Sequence, residues 1–185
     1  MPQTMLAFAA MMLATTYTLT VQQQYVMSMR QGITREMEEI AGTVAVEAME
    51  AVRSRAFDQA EVDGTVTGDL TDLALFEYSN NTDHFATGNA CSVFSTGADV
   101  CDDVDDFHMM VTATMPFAMG VDTVYFSVDI EVEYVDETFA RANERTFNKQ
   151  VTVFVRDTWP GTGTNPFMPS NVFLSRVFSY EFSAL

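Results

Sequence analysis

An α+β fold, with a long N-terminal α-helix packed by its second half on an antiparallel β-sheet head, is predicted by three features of this 185-residue chain. Met1 to Met29 carries no charged side chain. Arg30 opens a stretch that keeps helical spacing while turning amphipathic. Beyond about Phe57 the sequence is acidic and alternates with the period of strands. The chain therefore divides into residues 1–56, a helix, and residues 57–185, an acidic β-rich globular head.

At about 1.5 Å per residue, a helix from Met1 to Met29 spans roughly 43 Å, more than the ~30 Å of a bilayer core, so its length permits a membrane span. A cleavable secretory signal starts with a basic region and ends in a small-residue cleavage site. Neither brackets Met5 to Val21, so the segment reads as retained. From Arg30 to Ala56 the apolar residues Ile33, Met37, Ile40, Ala41, Val44, Ala48, Met49 and Val52 recur at three- and four-residue steps and mark one buried stripe. Glu36, Glu38, Glu39, Glu47 and Glu50 lie mostly off it, and Arg53 and Arg55 suit the C-terminal end of the helix dipole. The helix is expected to run to about Arg55. Gly32, Gly42 and the run Thr15, Thr16, Thr18, Thr20 are weak helix formers where it can stretch or bend.

The remaining residues, about 130, have the size of one domain. A formal charge of −17, with no Lys or Arg between Arg55 and Arg141, argues against nucleic acid as a partner, because neutralising phosphates needs basic residues. The acidic surface suits a protein in high salt or outside the cell, where like charge is screened within about 8 Å or less. Nine residues separate Cys91 from Cys101 in a polar loop. Either they are free thiols or, as a short Gly- and Asp-containing loop favours, they close a disulfide worth about 2–3 kcal/mol. A disulfide points to export from the reducing cytosol.

Period-two alternation identifies the strands. Val124, Phe126, Val128, Ile130, Val132 and Tyr134 alternate with polar residues in the most regular one. Phe147, Lys149, Val151, Val153 and Val155 form a second, Val172, Leu174, Phe178, Tyr180 and Phe182 a third, and Phe107 to Met115 a fourth. The connections DETFARANER and RDTWPGTGTNPFMPS are short or punctuated by Pro and Gly, as neighbouring antiparallel strands require. The amphipathic half of the helix is the nearest element able to cover the apolar sheet face.

Nothing in the sequence indicates an enzyme. His84 and His108 are the only histidines, and there is no serine-nucleophile motif, zinc-spaced Cys/His set or phosphate-binding loop; Gly161 to Pro166 is a turn. Asp102, Asp103, Asp105, Asp106 and His108 form the one constellation of chemical interest, with Asp99 as an additional carboxylate. It reads as a solvated acidic turn or as a calcium site, since Ca2+ takes six to eight hard oxygen ligands, although the spacing lacks the glycine and terminal glutamate of an EF-hand. No other cofactor is implied. Asn80-Asn81-Thr82 matches the N-glycosylation pattern. Trp159 reads as a loop anchor or as an exposed adhesive aromatic.

Met1 to Arg55, the exit AVRSRAF followed by Asp58, and CDDVDDFH (Cys101 to His108) lie in an order that resembles type IV pilins and pseudopilins. The resemblance is one of layout over the whole chain. It implies an extracellular or cell-surface filament subunit, anchored in the inner membrane beforehand and handled by pilus assembly machinery. In such a homopolymer Met5, Leu6, Phe8, Ala9, Met12, Leu13 and Leu19 would line a central helical bundle. Two departures bear on register and shape. Pilins usually carry glutamate where this chain has Met5, and often a proline about two dozen residues in, whereas none occurs between Pro2 and Pro116. If Met1 is the mature first residue, a leader has been removed; if it is a translation start, that processing does not apply. The alternatives are a minor pilin or pseudopilin of a pilus or type II secretion-like machine, and a single-pass membrane-anchored binding domain. An apolar stripe running from Ile33 to Val52 directly out of the span is more than a simple anchor requires, which favours the filament.

Overall fold

A computed structural model of the chain describes residues 2–65, 68–73, 91–94, 101–108, 113–119, 122–158 and 167–180. It is α+β. Helix α1 spans Pro2–Arg53 without interruption through Gly32, Gly42 and the threonine run. A short helix α2, Gln59–Val62, follows its exit. Strands β1 (Ala113–Met119), β2 (Asp122–Tyr134), β3 (Asn148–Thr158) and β4 (Val172–Ser179) form one antiparallel sheet in the order β1-β2-β3-β4.

The long alternating run makes β2 the organising strand. Val124, Phe126, Val128, Ile130, Val132 and Tyr134 are all buried on one face, because successive strand residues point to opposite sides. The register Val128↔Val155, Ile130↔Val153 and Val132↔Val151 places β-branched residues opposite one another, and Val153↔Leu174 extends the row to β4. Such cross-strand pairs each contribute roughly 0.2–1 kcal/mol. Strand β1 lies at the edge, where Pro116, opposite Tyr125, removes no donor that a central strand would need.

Two elements cover this face. The lower part of α1 buries Met37, Ala41, Val44, Ala45, Ala48, Met49 and Val52, packing chiefly on β3 and β4. Ala41, Ala45 and Ala48 are strong helix formers with short side chains, so the helix axis can approach the sheet closely. The turn Asp105–Phe107 covers β2, with Val104 and Phe107 both buried. The core therefore straddles the boundary at residues 56 and 57: one of its walls is helix.

Three of the four predicted strands occur within a few residues of their expected bounds. Of the strand expected over Phe107 to Met115, Ala113, Thr114 and Met115 lie in β1, Phe107 and His108 do not, and residues 109–112 lie outside the described residues. The segment before β1 turns as a 3-10 helix, Asp105–Phe107, because the Asp103 carboxylate accepts from the Asp106 backbone N–H at 3.0 Å, a local bond that competes with a ladder. His108 takes part in the sheet by another route. Its Nδ1 accepts the Val132 N–H at 2.9 Å, beyond the last described β1–β2 pair, Ala113↔Val128.

If the lower half of α1 is structural wall and the upper half is not, substitutions must divide accordingly. Met49→Ala is expected to lower head stability by about 2–5 kcal/mol, whereas Phe8→Ala leaves the unfolding midpoint of the dispersed protomer unchanged. Chemical denaturation of both variants checks this.

Candidate functional site

Two features of the molecule call for a functional account: an apolar rod that the protomer leaves uncovered, and a charged cluster that it buries completely.

The rod is the upper part of α1. Every residue from Thr4 to Ile33 is exposed, about 45 Å of helix at roughly 1.5 Å per residue. The residues expected to mediate polymerisation, Met5, Leu6, Phe8, Ala9, Met12, Leu13 and Leu19, all belong to it, and Met5 is 79% exposed. Its hydroxyls are satisfied within the helix. Thr15 donates to the Met11 carbonyl (3.0 Å), Thr16 to Met12 (3.0 Å), Thr18 to Ala14, and Thr20 to Thr16 (2.9 Å). A surface of this kind enters an apolar environment without abandoning those donors, which would otherwise each cost a desolvation penalty. The helix is long and apolar enough to cross a membrane. The stripe from Ile33 to Val52 has a different fate. Apart from Ile33, which is exposed, and Ile40, which is half-buried, its residues are spent on the protein's own sheet.

The buried cluster centres on Lys149, the single lysine in the sequence. Strand alternation puts it in phase with Val151, Val153 and Val155, so it points into the core and is fully buried. Its Nζ lies 2.7 Å from Asp58 Oδ2 and 2.8 Å from both oxygens of Asp105, and donates to the Phe57 carbonyl at 2.8 Å. The rings of Phe57 and Tyr134 flank it at 4.4 and 5.3 Å, within cation–π range. Asp58 also serves as the N-cap of α2, accepting from Ala60 N–H at 3.1 Å, and receives the Tyr134 hydroxyl at 3.4 Å. The helix exit and the acidic turn are held side by side: Ala56 N donates to Asp102 O (3.2 Å) and Val104 N to Ala56 O (3.0 Å).

The acidic turn is thus largely withdrawn from solvent, with Asp102 half-buried. Of Asp102, Asp103, Asp105 and Asp106, the residues named for calcium or a solvated turn, Asp105 is paired with Lys149. Asp103, Asp105 and Asp106 are buried. Asp106 Oδ2 accepts from Asp102 N–H at 3.0 Å, and Asp103 caps Asp106. No group of three or more His, Cys, Asp or Glu side chains converges as a metal site among the described residues. Lys149 supplies the counter-charge that an ion would have supplied. Asp99, His84, Trp159, the Asn80 triplet and the Gly161 to Pro166 turn lie outside the described residues. Cys91 and Cys101 form the expected disulfide, with Cα atoms 5.5 Å apart, at the start of the acidic turn.

Burial sets the proton affinities here. Desolvation, followed by the negative charge of Asp106, pushes the Asp103 carboxyl up to about 7. Desolvation holds Asp105 well above the usual carboxylate range, against the pull of Lys149, and raises Asp106 as well. Tyr134 is raised by burial and by the Asp105 and Asp58 charges. His108 is lowered, chiefly by burial. Lys149 and Asp58 escaped sequence reasoning as a site. The available signal was one lysine in phase with a run of buried valines; its partners come from segments that no spacing rule connects.

Comparison with protein-family models, with curated proteins and with solved structures gave no match to this chain.

Asp103 makes stability depend on pH. Its folded-state value lies above the ordinary carboxyl value of 3.8, so its contribution is full below that value and is lost as pH rises through about 7. His108 acts in the opposite sense, favouring the fold above its unfolded value. Asp103→Asn, which keeps an oxygen acceptor for Asp106 N–H, is expected to flatten the fall in Tm between about pH 4 and about pH 7 relative to wild type. Thermal scans at constant ionic strength measure it; an unchanged slope would count against the assignment.

Proposed function

We propose that this chain is a structural, non-enzymatic subunit of an extracellular filament of the type IV pilus kind, assembled through a central bundle of apolar N-terminal helices with acidic heads outside. One observation carries the reading: an uncharged helical surface from Thr4 to Met29 is left uncovered by a head that completes its core without it. Burying even 1,000 Å2 of apolar surface per subunit is worth roughly 25 kcal/mol before ordering costs. Copies of the same rod are one environment able to supply that burial once the subunit has left a membrane. Head-to-tail contacts that do not close into a ring extend into an open helical filament. The methionines along the rod, among them Met5, Met11, Met12, Met27 and Met29, adapt to neighbours that meet at several offsets.

A single-pass membrane anchor is the second reading, favoured by a helix of sufficient length and apolarity to span a bilayer. The apolar stripe from Ile33 to Val52 does not discriminate, because most of it packs on the subunit's own sheet. Rigid continuity does. The rod runs into the head as one helix, Pro2–Arg53, with no linker, and it exceeds a bilayer core by about 15 Å. A tether needs neither property, whereas a lattice of heads positioned by their helices needs both.

Ala9→Asp or Leu13→Asp is expected to abolish fibres in negative-stain images while the head keeps its disulfide and its unfolding transition. Normal fibres from either variant would refute the bundle. Monodisperse particles of wild-type protein under native salt would instead support the anchor.

A further inference from the structure

Lys149, Asp58 and Asp105 form more than a salt bridge in their geometry. We propose that Lys149 and Asp105 condense to an intramolecular isopeptide bond, Nζ to Cγ, with Asp58 as the proton-transferring carboxylate. The inference stands apart from the filament reading and holds whatever the chain assembles with.

The two carboxylates are not equivalent. Asp58 meets the amine through Oδ2, while its Oδ1 caps α2 at Ala60 N–H and its Oδ2 also receives Tyr134. Both oxygens of Asp105 lie 2.8 Å from Nζ, so the amine faces the whole carboxyl group rather than one oxygen. Asp105 Oδ1 is buried and accepts no directed hydrogen bond. The residues are fixed on separate rigid elements, Lys149 on β3, Asp105 on the 3-10 turn and Asp58 at the α2 cap. Such preorganisation raises effective concentration to about 10^5 M or more.

The site is closed off from water. Lys149 and Asp105 are fully buried, and burial of ions carries a desolvation cost that an amide does not. Burial already biases Asp105 toward its protonated form. Phe57 and Tyr134 wall the site.

The step balances without an oxidant or external reagent. Proton transfer from the ammonium leaves a neutral amine at Nζ and a neutral carboxylic acid on Asp105. The Nζ lone pair attacks Asp105 Cγ, forming the C–N bond; Asp58 Oδ2 takes a proton from nitrogen and passes it to the departing hydroxyl. The C–O bond breaks and one water leaves. The product is a secondary amide, with Asp58 again a carboxylate. The cross-link would join the acidic turn to β3 and enclose β1 and β2, complementing the disulfide at the other end of that turn.

The single lysine makes the test direct. Full-length protein is reduced, denatured and treated with a lysine-specific endopeptidase, which cuts after a free Lys149 but not after its amide. The wild-type chain is expected to contain a resistant fraction, lighter than the sequence by one water after reduction. Digestion at arginine should yield a branched species joining Ala56–Arg141 to Thr146–Arg156, with fragmentation placing the branch on Asp105. Asp105→Ala and Asp58→Ala are expected to be cut to completion. Complete cleavage of wild type with no loss of water overturns the proposal, and that result does not depend on whether either variant folds. A branch on Asp58, or resistance that survives in Asp105→Ala, overturns it equally.

Discussion

A buried ammonium holds the base of this molecule together. Lys149 reaches from β3 to the carboxylate that caps α2, to the carbonyl of Phe57 at the helix exit and to Asp105 in the turn over β2. Each charge would be costly alone, since an unpaired ion in a low-dielectric interior retains a penalty of several kcal/mol. Together they are stable only when helix exit, turn and sheet are in place. That mutual requirement makes the arrangement specific. It also fixes the direction in which α1 leaves the head, because Ala56 is clamped to the turn by backbone bonds on both sides.

From this base the helix passes through two environments without a break. Its lower half is part of a domain core, oriented by the fit of Ala41, Ala45 and Ala48 against the sheet. Thr34 donates to the Phe167 carbonyl at 3.2 Å near the point where contact with the head ends. Above it every side chain from Thr4 to Ile33 faces outward. The packing of one half therefore aims the other, and under the filament reading the small alanine contacts of the head govern the angle at which rods meet. Under the same reading, the chain's net charge of −17 would make heads mutually repulsive and leave the apolar rod as the adhesive surface.

Much of the architecture was legible because it rests on periodicity. The pattern from Val124 to Tyr134 had one interpretation, and its residues are buried as alternation requires. The stripe Met37, Ala41, Val44, Ala48, Met49 and Val52 likewise reached the core. The burial of the acidic turn was not legible, for a physical reason. Clustered aspartates are ordinarily solvated or bound to a cation, and nothing local reveals that a lysine some forty residues later will neutralise them. Asp103 and Asp106 bind backbone donors within the turn, which holds Asp105–Phe107 as a 3-10 helix.

By itself the sequence determined the long helix, the strands from Val124 onward and that the first twenty-nine residues carry no charge, since these follow from local composition and spacing. Only the tertiary structure decided that the apolar stripe below Ile33 is spent within the subunit, that the upper rod stays uncovered, and that the aspartates close around Lys149. Those outcomes depend on which distant surfaces exclude water from one another, and water exclusion is a property of the packed chain.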